Sequence, residues 1–245
     1  LGAEIRGVDL SQVMDADSFA HVETAFNGHS VICFRDQDLT PEQHIAHATR
    51  YGEPQRLFLS HYAMEGHPEI LYVSNIQEDG RDIGYADAGI VWHTDMSFEK
   101  TPPRATILHA REIPITDNGT VLGDTLFASA TKAYDSLSDA MKSRLNGLRV
   151  THDAAGRRRK SRTGLAADNA QHETHDLVVH PLVRRHPYTD KKILYVSSGE
   201  CEAIDGMADD EAVALIDELS AIIIKDEFIY RHKWQVGDVL MWDNC

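Results

Sequence analysis

Short runs rich in β-branched, aromatic and aliphatic residues recur along the whole chain, and they limit its fold more than any other feature. They are VICF (31–34), EILYVS (69–74), RATILHA (104–110), DTLFAS (124–129), LVVHPLV (177–183), KKILYVS (191–197), EFIYRHKW (227–234) and DVLMW (238–242). Several alternate apolar with polar residues, the pattern of a strand with one buried face. Helical patterns interrupt them. Residues 17–27 place Phe19, Val22 and Phe26 on one stripe. Residues 41–51 follow Thr40, a good N-cap, with Pro41 at the first helical position. Residues 129–148 read as two short helices broken near Ser138. Residues 208–225 give the clearest helix, with Val213, Ile216, Leu219, Ile222 and Ile223 facing inward. Many strands and few helices predict a mainly β fold: an antiparallel core with flanking helices. A dinucleotide-binding βαβ fold is excluded, because no G-x-G-x-x-G opens a helix.

The chain has 245 residues and neither an internal repeat nor a low-complexity linker. Single β-sandwiches and barrels routinely reach this length. A net charge of −15 repels nucleic acid and anionic membrane, so neither is expected as a partner. Cys33, Cys201 and Cys245 are odd in number and share no metal-like spacing, which fits a reducing cytoplasm better than a disulfide framework. The sequence shows no signal peptide and no long apolar run. Leu1 at the first position points to a trimmed N-terminus. From 152 to 176 the chain turns polar and carries Arg157, Arg158, Arg159, Lys160 and Arg162 in an otherwise acidic protein. That stretch reads as a solvated, mobile loop, or as a lid-like loop that attracts an anionic substrate.

One short motif is a candidate for chemistry. VWHTDMSF (91–98) holds the one His-x-Asp of the sequence. With fourteen histidines in the chain, chance alone supplies roughly one such pair, so the motif needs its surroundings. On an extended segment His93 and Asp95 point the same way and can hold one metal. Imidazole plus carboxylate is part of the two-His-one-carboxylate facial triad, which leaves open positions on Fe(II). Zinc accepts the same donors.

The surroundings are VWHTDMSFEKTPPRATILHAREIP (91–114), GDTLFASATKAYDSLSDAMKSRLNGLRVTHD (123–153), HPLVRRHPYTDKKILYV (180–196) and WQVGDVLMWDN (234–244), in that order after LGAEIRGVDL at the start. Together they resemble the Fe(II)/2-oxoglutarate-dependent dioxygenases of the taurine and 2,4-dichlorophenoxyacetate dioxygenase family over nearly the whole chain. The resemblance implies a double-stranded β-helix (jelly roll) core and a single dioxygenase domain over 1–245. It implies Fe(II) as the metal, with 2-oxoglutarate and O2 as cosubstrates and succinate and CO2 as products. It implies hydroxylation of a small anionic substrate, with cleavage where the new hydroxyl lies beside oxygen or sulfur. A cytoplasmic homo-oligomer, dimer or tetramer, is expected.

The same resemblance makes His93 and Asp95 the first two iron ligands. It makes Thr125, in GDTLF, the residue that hydrogen-bonds the 2-oxoglutarate carboxylate. Retention of Asp95 speaks against the related halogenases. The second iron histidine is expected a few residues past Trp242–Asn244, and an arginine for the far carboxylate of 2-oxoglutarate a turn or two later; the planar fork of arginine suits that task. Both positions lie beyond Cys245, so the expectation is a chain that continues past it. His180 and His186 match family positions that are not ligands. His232 is expected to be packed or at the surface, Trp92 a packing wall, Asp124 a turn residue, and His152 and Asp153 structural hydrogen bonders.

Leu57 and Gly89 stand where taurine-cleaving members carry a polar histidine and asparagine for the sulfonate. A missing polar partner costs specificity heavily, so taurine is not the expected substrate, and a carboxylate is slightly favoured over a sulfonate. Tyr85, in the loop before the iron ligands, is a further pocket candidate. Two other classes stay open: a metal-dependent hydrolase or isomerase on a similar β scaffold, and a non-catalytic relative that binds a small ligand.

Overall fold

Alternation along the strands decides which side chains meet at the centre of this protein. The computed structural model describes residues 1–56, 60–86, 88–153 and 177–245. Strand β1 (Ala3–Ile5) precedes helix α1 (Ala16–His29), β2 (Val31–Phe34) and helix α2 (Pro41–Ala48), which a 3-10 turn continues to Tyr51. Two small hairpins follow: β3 (Ala63–Met64) with β4 (His67–Leu71), and β5 (Gln77–Glu78) with β6 (Arg81–Asp82). Strands β7 (Ala105–His109) and β8 (Thr125–Ala128) lead to helices α3 (Ala130–Ser136) and α4 (Asp139–Leu145). Then come β9 (Arg149–His152), β10 (Val178–Pro181), β11 (Val183–Arg185), β12 (Lys192–Leu194) and β13 (Cys201–Ile204). Helix α5 (Asp209–Ile223), β14 (Ile229–His232) and β15 (Val239–Asp243) follow.

The largest sheet has the order β1-β2-β15-β7. Its β1–β2 pair is parallel and the rest antiparallel, which corrects the wholly antiparallel expectation in one place. All four residues of β2 are buried, because both faces of this sheet are covered. Ile32 and Phe34, with Val239 and Met241, pack on Val22 and Phe26 of α1; Val31, Cys33 and Leu240 pack on the opposite face with Trp234. That split follows from the two-residue period of a strand. Asp15 caps α1 by accepting from the Ser18 N–H, and Thr40 with Gln43 forms a capping box on α2. Each such cap stabilises by about 1 kcal/mol.

A second core joins α3, α4 and α5 to β12 and to the sheet β10-β9-β13 through Tyr134, Leu145, Val150, Leu194, Leu215 and Leu219. Here the helix reading needs correction. The buried stripe of α5 is Ala212, Leu215, Ile216 and Leu219, while Val213 is 47% exposed. Several strand limits also move. EILYVS ends as a strand at Leu71, and Tyr72 and Val73 are exposed. LVVHPLV divides at Leu182 into β10 and β11, and EFIYRHKW opens with a 3-10 turn. Of the lid-like stretch 152–176, His152 and Asp153 are described; the arginine-rich part lies outside the described residues. Among the described residues no helix is long and apolar enough to cross a membrane.

Candidate metal and cosubstrate site

His93 and Asp95 lie on irregular chain that turns just before β7, not on a strand. Met96 takes a left-handed φ of 52°, the Ser97 N–H donates to the Thr94 carbonyl (3.3 Å) and the Glu99 N–H to the Met96 carbonyl (3.0 Å). The two side chains still converge: His93 Nε2 is 3.1 Å from Asp95 Oδ1. Both are partly open to solvent, 19% and 25% exposed, so an ion or small molecule can reach them.

The neighbours fix what each of these atoms can do. A carbonyl cannot donate, so His93 Nδ1–H donates to the Val91 carbonyl at 2.7 Å. The neutral imidazole therefore carries its lone pair on Nε2. Asp95 Oδ2 accepts from Thr106 Oγ1 (2.7 Å) and Trp242 Nε1 (3.0 Å), leaving Oδ1 to face His93. Thr106 and Trp242 are register partners on β7 and β15. The strand period puts both on the face that Leu240 occupies. Asn244 Nδ2 donates to Thr106 Oγ1 (2.9 Å), so the threonine's own proton goes to Asp95. A neutral Nε2 and an anionic Oδ1 are both acceptors; at 3.1 Å they need a proton or a metal cation between them. This donor pair, with its outer oxygen and ring nitrogen already bonded, fits a divalent first-row metal.

Two other clusters look metal-like by composition but not by chemistry. Cys33, His232 and Asp238 are buried together. His232 Nε2 meets Asp238 Oδ2 at 3.0 Å and Nδ1 meets the Tyr230 hydroxyl at 3.2 Å, so both nitrogens are engaged. Arg35 Nη1 already supplies a cation to Asp238 at 2.5 Å. Burial pushes the Cys33 thiol up to about 12, with the Asp238 charge adding to it. In the second cluster, His186 Nδ1 accepts the N–H groups of Tyr188 and Thr189, so Nε2–H donates to Asp243 Oδ2 at 2.8 Å. No lone pair is left on that ring. Burial raises the nearby Cys245 thiol to about 11.

Thr125 opens β8, opposite His232 in register. Its Oγ1 accepts the Trp234 Nε1–H at 3.0 Å, which turns the threonine's own proton outward as a donor. The Trp234 ring is set edge-on to His232 at 4.5 Å. Phe127, two residues along β8 from Thr125, lies 5.4 Å from the Trp242 ring, which connects this strand to the Asp95 side. Asp124 pairs with Arg231 at 3.4 Å. His180 Nε2–H is shared between the Ser97 and Glu99 carbonyls, 3.0 Å from each, and fastens the end of the turn. His152 is buried beside Cys201 Sγ, 3.6 Å from its Nε2, and burial holds its pKa down to about 3.

The substrate candidates are placed less tightly. Tyr85 bonds through its N–H to the Tyr72 carbonyl and sets its ring 6.1 Å from Tyr62. Gly89 has a φ of +77°, where a side chain is strained, so a conformational reason stands beside its missing polar group. Leu57 lies outside the described residues. The sequence reading passed over Thr106 and Trp234 as site residues, and took Trp242 only as a landmark. Strand register, which a linear sequence does not display, is what brings Thr106 and Trp242 to Asp95.

Comparison with known proteins gives the family. Residues 1–245 match the family described as taurine catabolism dioxygenase TauD, TfdA family. The chain is similar to pentalenolactone F synthase of Streptomyces arenae, 34% identical, covering 99% of this chain and 84% of that protein. It is similar to the alpha-ketoglutarate-dependent 2,4-dichlorophenoxyacetate dioxygenase of Cupriavidus pinatubonensis, 30% identical, covering 99% and 85%. In structure it is similar to a taurine dioxygenase from Burkholderia xenovorans, with a TM-score of 0.80 and 32% identity, covering 100% of this chain and 76% of that one.

Proposed function

The chain belongs to the TauD/TfdA family of 2-oxoglutarate (alpha-ketoglutarate)-dependent non-haem iron dioxygenases, and from that premise we propose that His93 and Asp95 are two of its iron ligands and Thr125 a cosubstrate ligand. The observation that carries this reading is the convergence of His93 Nε2 and Asp95 Oδ1 to 3.1 Å, with His93 Nδ1 bonded to the Val91 carbonyl and Asp95 Oδ2 to Thr106 and Trp242. Bound Fe(II), with 2-oxoglutarate and O2 as cosubstrates, supplies the oxidising chemistry. The protein's part is to hold, orient and exclude.

Val91 sets the tautomer that presents Nε2 to the ion. Thr106 and Trp242 neutralise the outer oxygen of Asp95 and keep the inner one aimed. Trp234 fixes the Thr125 hydroxyl so that its proton is offered to a carboxylate oxygen of 2-oxoglutarate. Trp242, near the end of β15, donates to Asp95 and so ties that strand to the two ligands.

The reading includes one dioxygenase domain on a double-stranded β-helix, supported by Phe127 and Tyr230 of the antiparallel β8–β14 pair packing with Val31, Cys33 and Leu240 of the main sheet. It includes a homo-oligomer in a reducing cytoplasm. For the substrate it takes a small organic anion, a carboxylate before a sulfonate, with Tyr85, Gly89 and Leu57 as the candidate contacts. The similar proteins include a dioxygenase named for dichlorophenoxyacetate, a carboxylate, and one named for taurine, a sulfonate, so the order rests on the missing polar groups at positions 57 and 89. The test is succinate formation from 2-oxoglutarate across matched panels of small carboxylates and sulfonates. Turnover with carboxylates that vanishes in His93→Ala and Asp95→Ala supports the reading. Turnover unchanged in both variants refutes it.

A further inference from the structure

The turn that carries His93 and Asp95 has no ladder of its own, so something else must hold its shape. Its outward side is tied by Thr106 and Trp242. Its inward side rests on residues 197–200, which lie more than a hundred positions later. Ser197 Oγ donates to the Trp92 carbonyl at 2.7 Å. Gly199 comes so close to the same carbonyl that a Cβ there would sit 2.5 Å from it. Glu200 Oε2 accepts the Thr94 N–H and the Ser97 hydroxyl, each at 3.0 Å.

Those two donors flank Asp95. One carboxylate oxygen therefore spans the turn from the residue before the ligand to the second residue after it. Glu200 is 1% exposed and Ser97 fully buried. A carboxylate this deep costs several kcal/mol unless donors meet it, and hydrogen bonds to a charged acceptor are roughly twice as strong as neutral ones. The span is thus short, dry and stiff. Its own backbone is anchored too: the Asp153 N–H donates to the Glu200 carbonyl at 2.9 Å, tying the segment to the end of β9.

We propose that Glu200 is a positioning residue for the metal: by bridging Thr94 and Ser97 it holds the turn at the curvature that brings His93 and Asp95 together. This rests on the reading of those two residues as ligands. Glu200 does not touch the ion. It acts through the turn, as outer partners of metal ligands do when their loss costs 10–100-fold in affinity.

The test is Mn(II) binding to the full-length protein with 2-oxoglutarate, read as free Mn(II) by electron paramagnetic resonance well below the melting temperature. Glu200→Ala is expected to weaken binding about tenfold or more. Glu200→Gln keeps an acceptor in the same place and is expected to restore affinity to within about threefold of wild type. Ser97→Ala cuts one of the two tethers and keeps the carboxylate; it decides the matter if Glu200→Ala does not fold, with about threefold weaker binding expected. Wild-type affinity in Glu200→Ala, or in Ser97→Ala where that variant stands in, overturns the proposal. Glu200→Gln as weak as Glu200→Ala overturns it as well, because distant charge attraction, not the bridge, would then be responsible. Asp95→Ala separates the two levels: if it binds Mn(II) as wild type does, the ligand assignment fails, and the proposal with it.

Discussion

At Asp95 and Thr125 the hydrogen bonds to one oxygen decide which atom is offered to a ligand. Asp95 has two oxygens; Oδ2 accepts from Thr106 and Trp242, and Oδ1 faces His93, as the proposed metal role requires. Thr125 has one proton, and Trp234 occupies its oxygen so that the proton faces away. These roles separate cleanly. Thr106→Val should weaken Mn(II) or Fe(II) binding about tenfold while leaving the 2-oxoglutarate dependence little changed. Trp234→Phe should do the reverse, raising the 2-oxoglutarate concentration needed for half-saturation several-fold, the effect of losing about 1 kcal/mol. Paired metal and cosubstrate titrations check both. His93, Asp95 and Thr125 stand out as candidates in the sequence because the blocks around them are ordered as in a family, and the structure brings His93 Nε2 within 3.1 Å of Asp95 Oδ1. Glu200 was not, since its role depends on a contact with Thr94 and Ser97 across a span of more than a hundred residues.

Among the elements, the helices show what periodicity can and cannot decide. The break near Ser138 is visible in the sequence and is an N-cap in the fold, where Ser138 accepts the Met141 N–H. The face of α5 is harder. Stripes 213/216/219/223 and 212/215/216/219 both satisfy a 3.6-residue period and share Ile216 and Leu219. Packing on α3 and β13 selects the second, which buries Ala212 and Leu215 and turns Val213 outward. Leu219→Ala should cost about 2–5 kcal/mol, and Val213→Asp no more than about 0.5 kcal/mol, by urea unfolding. Equal losses would mean the stripe has been placed wrongly. The short strands β1, β9 and β13 escaped notice because three or four residues carry too little alternation to stand out; they are strands through their partners.

For the molecule as a whole, buried imidazoles set a limit on the acid side. Burial, helped by a neighbouring histidine in each case, pushes His44 and His47 down to about 4 and His152 down to about 3. The unfolded chain takes up these protons below pH about 6.5, and the folded chain refuses them until about 4 or lower. The unfolded state therefore binds more protons in that window, and stability falls as pH drops from 6.5 toward 4. A loss of about 1 kcal/mol or more per histidine between pH 7 and pH 5 is expected in urea midpoints, allowing for partial solvent screening. A flat profile would contradict the burial of these rings. The overall architecture was readable as mainly β with flanking helices, yet the parallel β1–β2 pair and the meeting of β7, β15 and the His93–Asp95 turn emerge only once the sheets are assembled. That meeting is the centre of the account, and an anaerobic titration tests it directly. Fe(II) added to full-length protein with 2-oxoglutarate should raise a visible charge-transfer band in the wild type and none in His93→Ala or Asp95→Ala. A band of wild-type strength in either variant would contradict the assignment of these two residues to the metal.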